Sequence, residues 1–126
     1  MILTNLTSAT TQKLQAFCDA AAATTNPVVT VVYRTKTRIQ TDANIVPLDD
    51  SVITVLSGAT ETDILSAPNT GEEKEIIGLT VYNEDTTTRT VTICIDVNGT
   101  NRIQYKPQLS TGRTFRYEKG TGAQII

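Results

Sequence analysis

The chain has 126 residues, with 39 % hydrophobic and 19 % charged side chains, a balance that predicts one folded domain with a modest core. Its formal net charge is −2, which gives no support for a nucleic-acid-binding protein, because such proteins are usually basic. The chain contains no histidine, which excludes histidine-based general-base catalysis, catalytic triads that use histidine, and zinc sites with histidine ligands.

The N-terminal region predicts a helix. Residues 1–5 have no basic stretch followed by an apolar run, so we expect no ordinary signal peptide, and no apolar stretch approaches the roughly 20 residues of a membrane helix. Over residues 8–24, apolar side chains recur at three- and four-residue spacing, which places them on one face of a helix. These side chains belong to Leu14, Phe17, Cys18 and Ala21. We expect this helix to cover the sheet or to project from it.

A long strand with a basic face is predicted after the helix. Over residues 28–40, apolar and threonine side chains form one face, and the other face carries Arg34, Lys36 and Arg38. The basic face has three interpretations: a solvated face that protects a sheet edge from aggregation, a contact surface for another protein, or a phosphate-binding site. Because no stack of aromatic residues lies beside it, single-stranded nucleic acid is the least supported partner, and we expect no nucleic-acid binding.

The centre of the chain predicts two neighbouring antiparallel strands. Alternating apolar residues mark strands over 75–82 and 90–97, and a polar, threonine-rich connection joins them. Shorter strands are predicted before this pair, over 51–56 and 60–65. Each central strand is expected to bury one of its faces in the core. The expected core residues are Ile77, Leu79, Val81, Val91, Ile93 and Ile95.

The last third of the chain completes an all-β pattern. Asn98-Gly99 predicts a type I′ hairpin turn, because both residues accept positive φ. Further strands are predicted over 102–105 and 114–118, and a last one ends at Ile126. About eight strands at about ten-residue spacing are typical of sandwiches and jelly rolls, and the 24 threonines favour exposed sheet faces. The predicted fold class is mainly β: a single antiparallel, jelly-roll-like β-sandwich with one N-terminal helix.

Three features invite a chemical interpretation, and each also has a structural one. Residues 96–101 faintly resemble a calcium loop, but their glycine and acidic spacing differs from an EF-hand, and the hairpin fits better. The acidic cluster 72–75 is interpreted as a solvated strand entrance in preference to a catalytic carboxylate pair. Cys18 and Cys94 are expected to be buried free thiols in preference to one disulfide. We therefore predict no enzyme, no catalytic residues, no metal and no cofactor.

Three segments resemble a known class of protein. Residues 57–65, 73–83 and 89–96 combine a small-residue turn, a lysine-led strand of the type I-x-L-x-V-x-N, and a strand rich in threonine and apolar β-branched residues. In this spacing and composition, residues 51–126 resemble small β-sandwich structural proteins of tailed bacteriophage virions. The resemblance implies a role in assembly, as a capsid decoration protein or as a part of the neck, collar or tail. It carries over no catalytic residues.

The expected function is that of a capsid decoration or cement protein that forms homo-oligomers and stabilises the shell. Its expected partners are further copies of itself and virion proteins such as the major capsid protein, with no membrane partner, and its expected location is the virion after synthesis in the host cytoplasm. Residues 41–126 are expected to form the sandwich core, and residues 1–40 to make the assembly contacts. Candidate contact residues are Leu14, Phe17, Ala21, Arg34, Lys36 and Arg38.

Several alternatives remain open at the level of sequence. The N-terminal helix and long strand either dock on other subunits or only cap their own sheet. The function is alternatively that of a neck, collar or tail component, a carbohydrate- or receptor-binding β-sandwich, or an enzyme or enzyme accessory. Carbohydrate sites usually present stacking aromatic rings, and the chain has no tryptophan and four tyrosines.

Overall fold

The computed structural model describes residues 5–8, 11–37 and 49–126, and every regular element within these ranges is a β-strand. The strands are β1 (Leu6–Thr7), β2 (Gln12–Cys18), β3 (Val28–Thr37), β4 (Asp49–Val55), β5 (Thr62–Leu65), β6 (Glu72–Tyr82), β7 (Arg89–Val97), β8 (Thr100–Tyr105), β9 (Gln108–Leu109), β10 (Thr114–Glu118) and β11 (Gly122–Ile125).

The strands form two antiparallel sheets. Sheet A has the order β11-β10-β6-β3-β4, with β1 paired to one end of β6. Sheet B has the order β5-β2-β7-β8, with β9 paired to β7. The strand pairs in both sheets are antiparallel. The prediction of a mainly β, antiparallel architecture is therefore confirmed.

One hydrophobic core contains side chains from both sheets. Val31, Leu79 and Tyr117 of sheet A are at most 1 % exposed, and Leu14 and Ile93 of sheet B are fully buried. Successive side chains of a strand point to opposite sides of its sheet. Each sheet therefore has an inner face, which packs into the shared core, and an outer face, which is turned away from it.

The eight strands predicted from the sequence correspond to β3 to β8, β10 and β11, with bounds shifted by a few residues. Residues 38–40 of the predicted long strand lie outside the described residues. The predicted hairpin turn is also present, since Asn98 and Gly99 have φ angles of 52° and 87° and connect β7 to β8. These positive angles are those that a type I′ turn requires, which explains the Asn-Gly pair without a calcium ion. The strands β1, β2 and β9 were not predicted.

The predicted helix at residues 8 to 24 is wrong. Its centre is strand β2, which lies between β5 and β7 in sheet B. The inward side chains of β2 are buried with the two-residue period of a strand. They are Leu14, Ala16 and Cys18. Farther along, the N–H groups of Ala23 and Thr24 donate to the Asp85 carboxylate at 3.0 and 2.9 Å, so a tertiary contact uses donors that a helix would need.

The two central strands do not pair with each other, in contrast to the prediction. β6 lies in sheet A between β3 and β10, whereas β7 lies in sheet B between β2 and β8. The polar connection 83–88 passes from one sheet to the other instead of closing a hairpin. The alternation of apolar residues identifies each strand, but it does not specify which strand is the neighbour.

A bulge in β6 changes one of the predicted core residues. Val32 of β3 pairs with Gly78, and the next residue, Tyr33, pairs with Ile76, so Ile77 is an extra residue in β6. Ile76 is 1 % exposed and occupies the core, whereas Ile77 is only half-buried. The other five predicted core residues are buried as expected.

Candidate interaction surface

The outer face of sheet A is defined by the alternation along β3. Val29 and Val31 are fully buried in the core, so Thr30 and Val32 project to the outer face. Paired residues of neighbouring strands carry their side chains on the same face, so the register extends this assignment across the sheet. The residues in line with Thr30 and Val32 are Ile53 on β4, Thr80 and Gly78 on β6, and Arg116 and Glu118 on β10.

Exposed apolar side chains are neighbours on the part of this face that β4, β3 and β6 form. Ile53 is 69 % exposed and Val55 is 60 % exposed. Val55, Val28 and the exposed Tyr82 stand in one row across the three strands. Single exposed apolar residues are ordinary in soluble proteins, but several neighbours on one sheet face are typical of an interaction surface. We refer to Val28, Ile53, Val55 and Tyr82 as the apolar strip.

A depression of about 170 Å³ lies beside the apolar strip, over Gly78. Gly78 is not among the glycines with positive φ, and a Cβ atom at this position would meet its nearest neighbour, the Tyr117 carbonyl oxygen, at 3.5 Å. That distance is an ordinary contact, so the isolated chain has room for a larger residue here. Glycine in a strand interior costs about 0.5–1 kcal/mol relative to alanine. Gly78 directly follows the bulged residue Ile77, and a glycine inside a strand often marks a bulge. Other residues that line this Gly78 depression are Thr30, Val32, Thr80 and Arg116.

Charged side chains on the outer face of sheet A are paired within the chain. Arg34 Nε lies 2.8 Å from Asp49 Oδ1, and Arg116 Nε lies 3.5 Å from Glu118 Oε1. The Arg116 Nε atom is buried and makes no hydrogen bond to any described residue. Exposed ion pairs of this kind contribute at most about 1 kcal/mol to stability. Their main consequence is that the described residues of this face present no unpaired block of one charge to a partner.

A buried carboxylate stands at the far end of the same face. Glu75 contacts the ammonium groups of Lys36 and Lys119 and is 2 % exposed. The sequence predicted a solvated strand entrance for the cluster 72–75, whereas Glu75 is covered and only its neighbours are partly exposed. Because two cations contact one carboxylate, the arrangement is an ion cluster that fixes the end of β6 to β3 and to the segment after β10.

Strand β4 forms one edge of sheet A next to the apolar strip. It pairs with β3 from Asp49 to Val55, and no described residue pairs with its other side. An edge strand presents a row of N–H and C=O groups to which a strand of another chain can add. The apolar strip and the free edge are therefore adjacent features of one surface.

The contact residues that were predicted from the supposed helix occupy three different environments. Leu14 is fully buried in the chain's own core and offers no surface to a partner. Phe17 is half-buried on the opposite side of β2, and Ala21 is exposed in the connection between β2 and β3. The helical face that was expected to gather these residues therefore does not form.

The basic residues predicted as contacts lie nearer the candidate surface. Arg34 and Lys36 are on the outer face of sheet A and are paired with carboxylates, while Arg38 lies outside the described residues. Sequence reasoning missed Ile53 and Gly78. A glycine within a strand pattern often marks a bulge or a place that another molecule approaches, and at Gly78 it marked the bulge at Ile77.

A buried polar network holds the connection between the two sheets. Asp85 is fully buried, and its carboxylate accepts hydrogen bonds from the N–H groups of Ala23 and Thr24 and from Arg89 Nε at 2.7 Å. Burial alone would raise the pKa of Asp85, but these hydrogen bonds outweigh it and hold the pKa well below its usual value. Asn83 extends the network, since its side-chain amide donates to the Leu109 carbonyl at 2.8 Å.

A second depression, of about 330 Å³, lies between β8 and β11. Its lining includes Tyr105, Pro107, Phe115 and Ile125. The Tyr105 ring lies 5.1 Å from the Phe115 ring and is tilted by 52°, a geometry typical of aromatic packing inside a protein. This packing engages the ring surface that a carbohydrate would need for stacking.

Within the described part of the chain, no helix is long and apolar enough to cross a membrane. In residues 5–8, 11–37 and 49–126, no group of three or more cysteine, aspartate or glutamate side chains is placed to hold a metal ion. Comparisons with protein-family models, with curated proteins and with solved structures find no match.

Proposed function

We propose that this chain is a structural protein of a tailed-phage virion, and specifically a capsid decoration protein that binds the shell and stabilises it through oligomeric contacts. In this proposal the two sheets form a single β-sandwich with a jelly-roll-like arrangement. The shared core supports the sandwich, because side chains from both sheets belong to one cluster. The segments that resemble phage virion proteins correspond to β5, β6 and β7, which provide much of that core.

The observation that carries the proposal is the apolar strip beside the free edge of β4. Ile53 and Val55 are the most exposed large apolar side chains of the described residues, and they occupy neighbouring outward positions on one strand. Burying apolar area against another protein is favourable by about 25 cal/mol per Å². In a shell, many copies repeat the same contact, so that individually weak contacts add up to firm attachment.

The paired charges of the outer face are consistent with this role. Arg34 and Arg116 already have carboxylate partners, so a docking protein need not supply matching acidic groups. Shape and apolar area would then determine attachment more than charge. We therefore expect attachment to the capsid to depend only weakly on salt, because Debye screening acts mainly on exposed, unpaired charges.

The proposal is tested on phage particles produced in cells that carry the phage gene for this chain. Particles are purified on a density gradient, and the chain is located by mass spectrometry of the particle band and by immunogold electron microscopy. We expect the chain in the particle band, with the label distributed over the head surface. Label confined to the neck or tail would show that the chain is a component of that part of the virion and not a capsid decoration protein. A chain that stays in the soluble fractions would refute a virion role.

A further inference from the structure

We propose that two copies of this chain pack with the outer faces of sheet A against each other, and that Ile53 of each copy inserts into the Gly78 depression of the other. This inference deepens the proposed function, because it names the oligomeric contact on which that function relies. The contact itself is a property of the chain alone, so it can be tested without a virion.

Ile53 has the properties of an inserting side chain. It is 69 % exposed, although it stands within a regular strand and one residue from the half-buried Val52. An isoleucine on a strand has a stiff χ1 angle, so its ordering in a contact loses little conformational freedom. Side chains that become fully desolvated in a well-packed pocket of a partner contribute most to binding.

The Gly78 depression has the properties of the receiving site. The backbone does not require glycine at position 78, and a Cβ atom would meet only an ordinary contact there. Because glycine has no side chain, another molecule can approach the strand closely at this position. The volume of about 170 Å³ is similar to that of cavities of about 150 Å³ that hold one benzene-sized group, so it suits one aliphatic side chain.

A second copy fits this surface because one face carries both the inserting residue and the receiving depression. Ile53 pairs with Thr30, and Gly78 pairs with Val32, which places them two strands apart on the same side of sheet A. With strand spacings of about 4.8 Å and a rise of about 3.4 Å per residue, they are separated by about 10 Å across the strands and 7 Å along them. A single two-fold axis in the plane of the contact exchanges the two positions, so both insertions form at once.

The surroundings of the depression also favour a neutral partner. The two charged residues that line it, Arg116 and Glu118, are paired with each other. The described residues of a second copy of this face bring no unpaired block of charge against them.

The test is the self-association of the purified recombinant chain, measured by sedimentation equilibrium between about 1 µM and 1 mM, the range of weak to moderate affinities. We expect the wild type to form dimers. Ile53→Thr keeps a β-branched residue but removes the apolar insertion, and Gly78→Ala begins to fill the depression. Ile53→Thr is expected to raise the dimer dissociation constant at least about tenfold, and Gly78→Ala, which fills only part of the depression, is expected to raise it by a smaller factor. The matched control is Ile103→Thr, because Ile103 is 56 % exposed but stands on β8 of sheet B, and it should dimerise like the wild type.

Circular dichroism and urea unfolding verify that each variant is folded. Gly78→Ala should be at least as stable as the wild-type monomer, so it tests the contact even if Ile53→Thr folds poorly. A wild type that remains monomeric up to about 1 mM would overturn the inference. Dimers that neither Ile53→Thr nor Gly78→Ala weakens would overturn it as well, because the contact must then lie elsewhere. Either result leaves the particle experiment to decide the virion role separately.

Discussion

Replacing Ile93 with alanine tests whether this side chain is buried in the core to which both sheets contribute. Ile93 is fully buried on β7 and pairs with Ala16 on β2 and Tyr105 on β8. The substitution removes three carbon atoms, and at about 0.8 kcal/mol for each buried group the lost transfer free energy is about 2.4 kcal/mol. A cavity that the neighbours only partly refill adds to this loss, so the free energy of unfolding should fall by about 2–5 kcal/mol.

The assay is equilibrium urea unfolding followed by circular dichroism. With a slope of about 2 kcal/mol per molar urea, the expected loss lowers the unfolding midpoint by about 1–2.5 M. The matched control is Ile103→Ala on the adjacent strand β8, where the side chain is 56 % exposed and the loss should stay within about 0.5 kcal/mol. If Ile93→Ala lowers the midpoint no more than Ile103→Ala does, then the reasoning from burial is wrong.

Two further predictions concern buried ionisable groups. The pKa of Asp85 in the folded chain lies below its ordinary value of 3.8, so its contribution to stability is present above about pH 4 and is lost as the pH falls towards the folded pKa. The difference in urea midpoint between the wild type and Asp85→Asn should therefore shrink below about pH 4, and a difference that stays constant down to pH 2 would contradict this account. Burial raises the pKa of Cys18 and of Cys94 to about 11, so both thiols should react with a disulfide reagent much more slowly in the native protein than after unfolding in urea. Rapid, complete labelling of the native protein at pH 8 would show that these thiols are accessible.

The strands were predictable where a local pattern determined them. Alternation along β6 and β7 requires only that one face of each strand be apolar, and the Asn98-Gly99 turn requires only two residues that accept positive φ. β2 was not predictable in the same way, because Leu14 fits both the helical spacing with Phe17 and the strand spacing with Ala16. Its place between β5 and β7 decides between the two, and those neighbours are distant in sequence.

The candidate surface was less predictable than the fold, because a sequence does not state which face of a strand is the inner one. In β4 the successive residues Val52 and Ile53 lie on opposite faces of the strand and both are apolar, so the sequence does not show which of them faces the core. Pairing with β3 decides the matter, since Ile53 stands opposite Thr30 on the outer face. The bulge at Ile77 adds a second non-local effect, because it changes which residues of β6 face the core.

The position of β2 also determines how an N-terminal role in assembly can be examined. Deleting residues 1–26 would remove β2 from between β5 and β7, so a loss of assembly after that deletion would follow from loss of the core. The outer face of sheet A avoids this difficulty, because strand alternation separates its side chains from the core. On β6, Leu79 faces the core while Gly78 faces outward, one residue away. Substitutions on the outer face therefore change the proposed contact and leave the inner packing intact, which makes that face the place where folding and assembly can be measured separately.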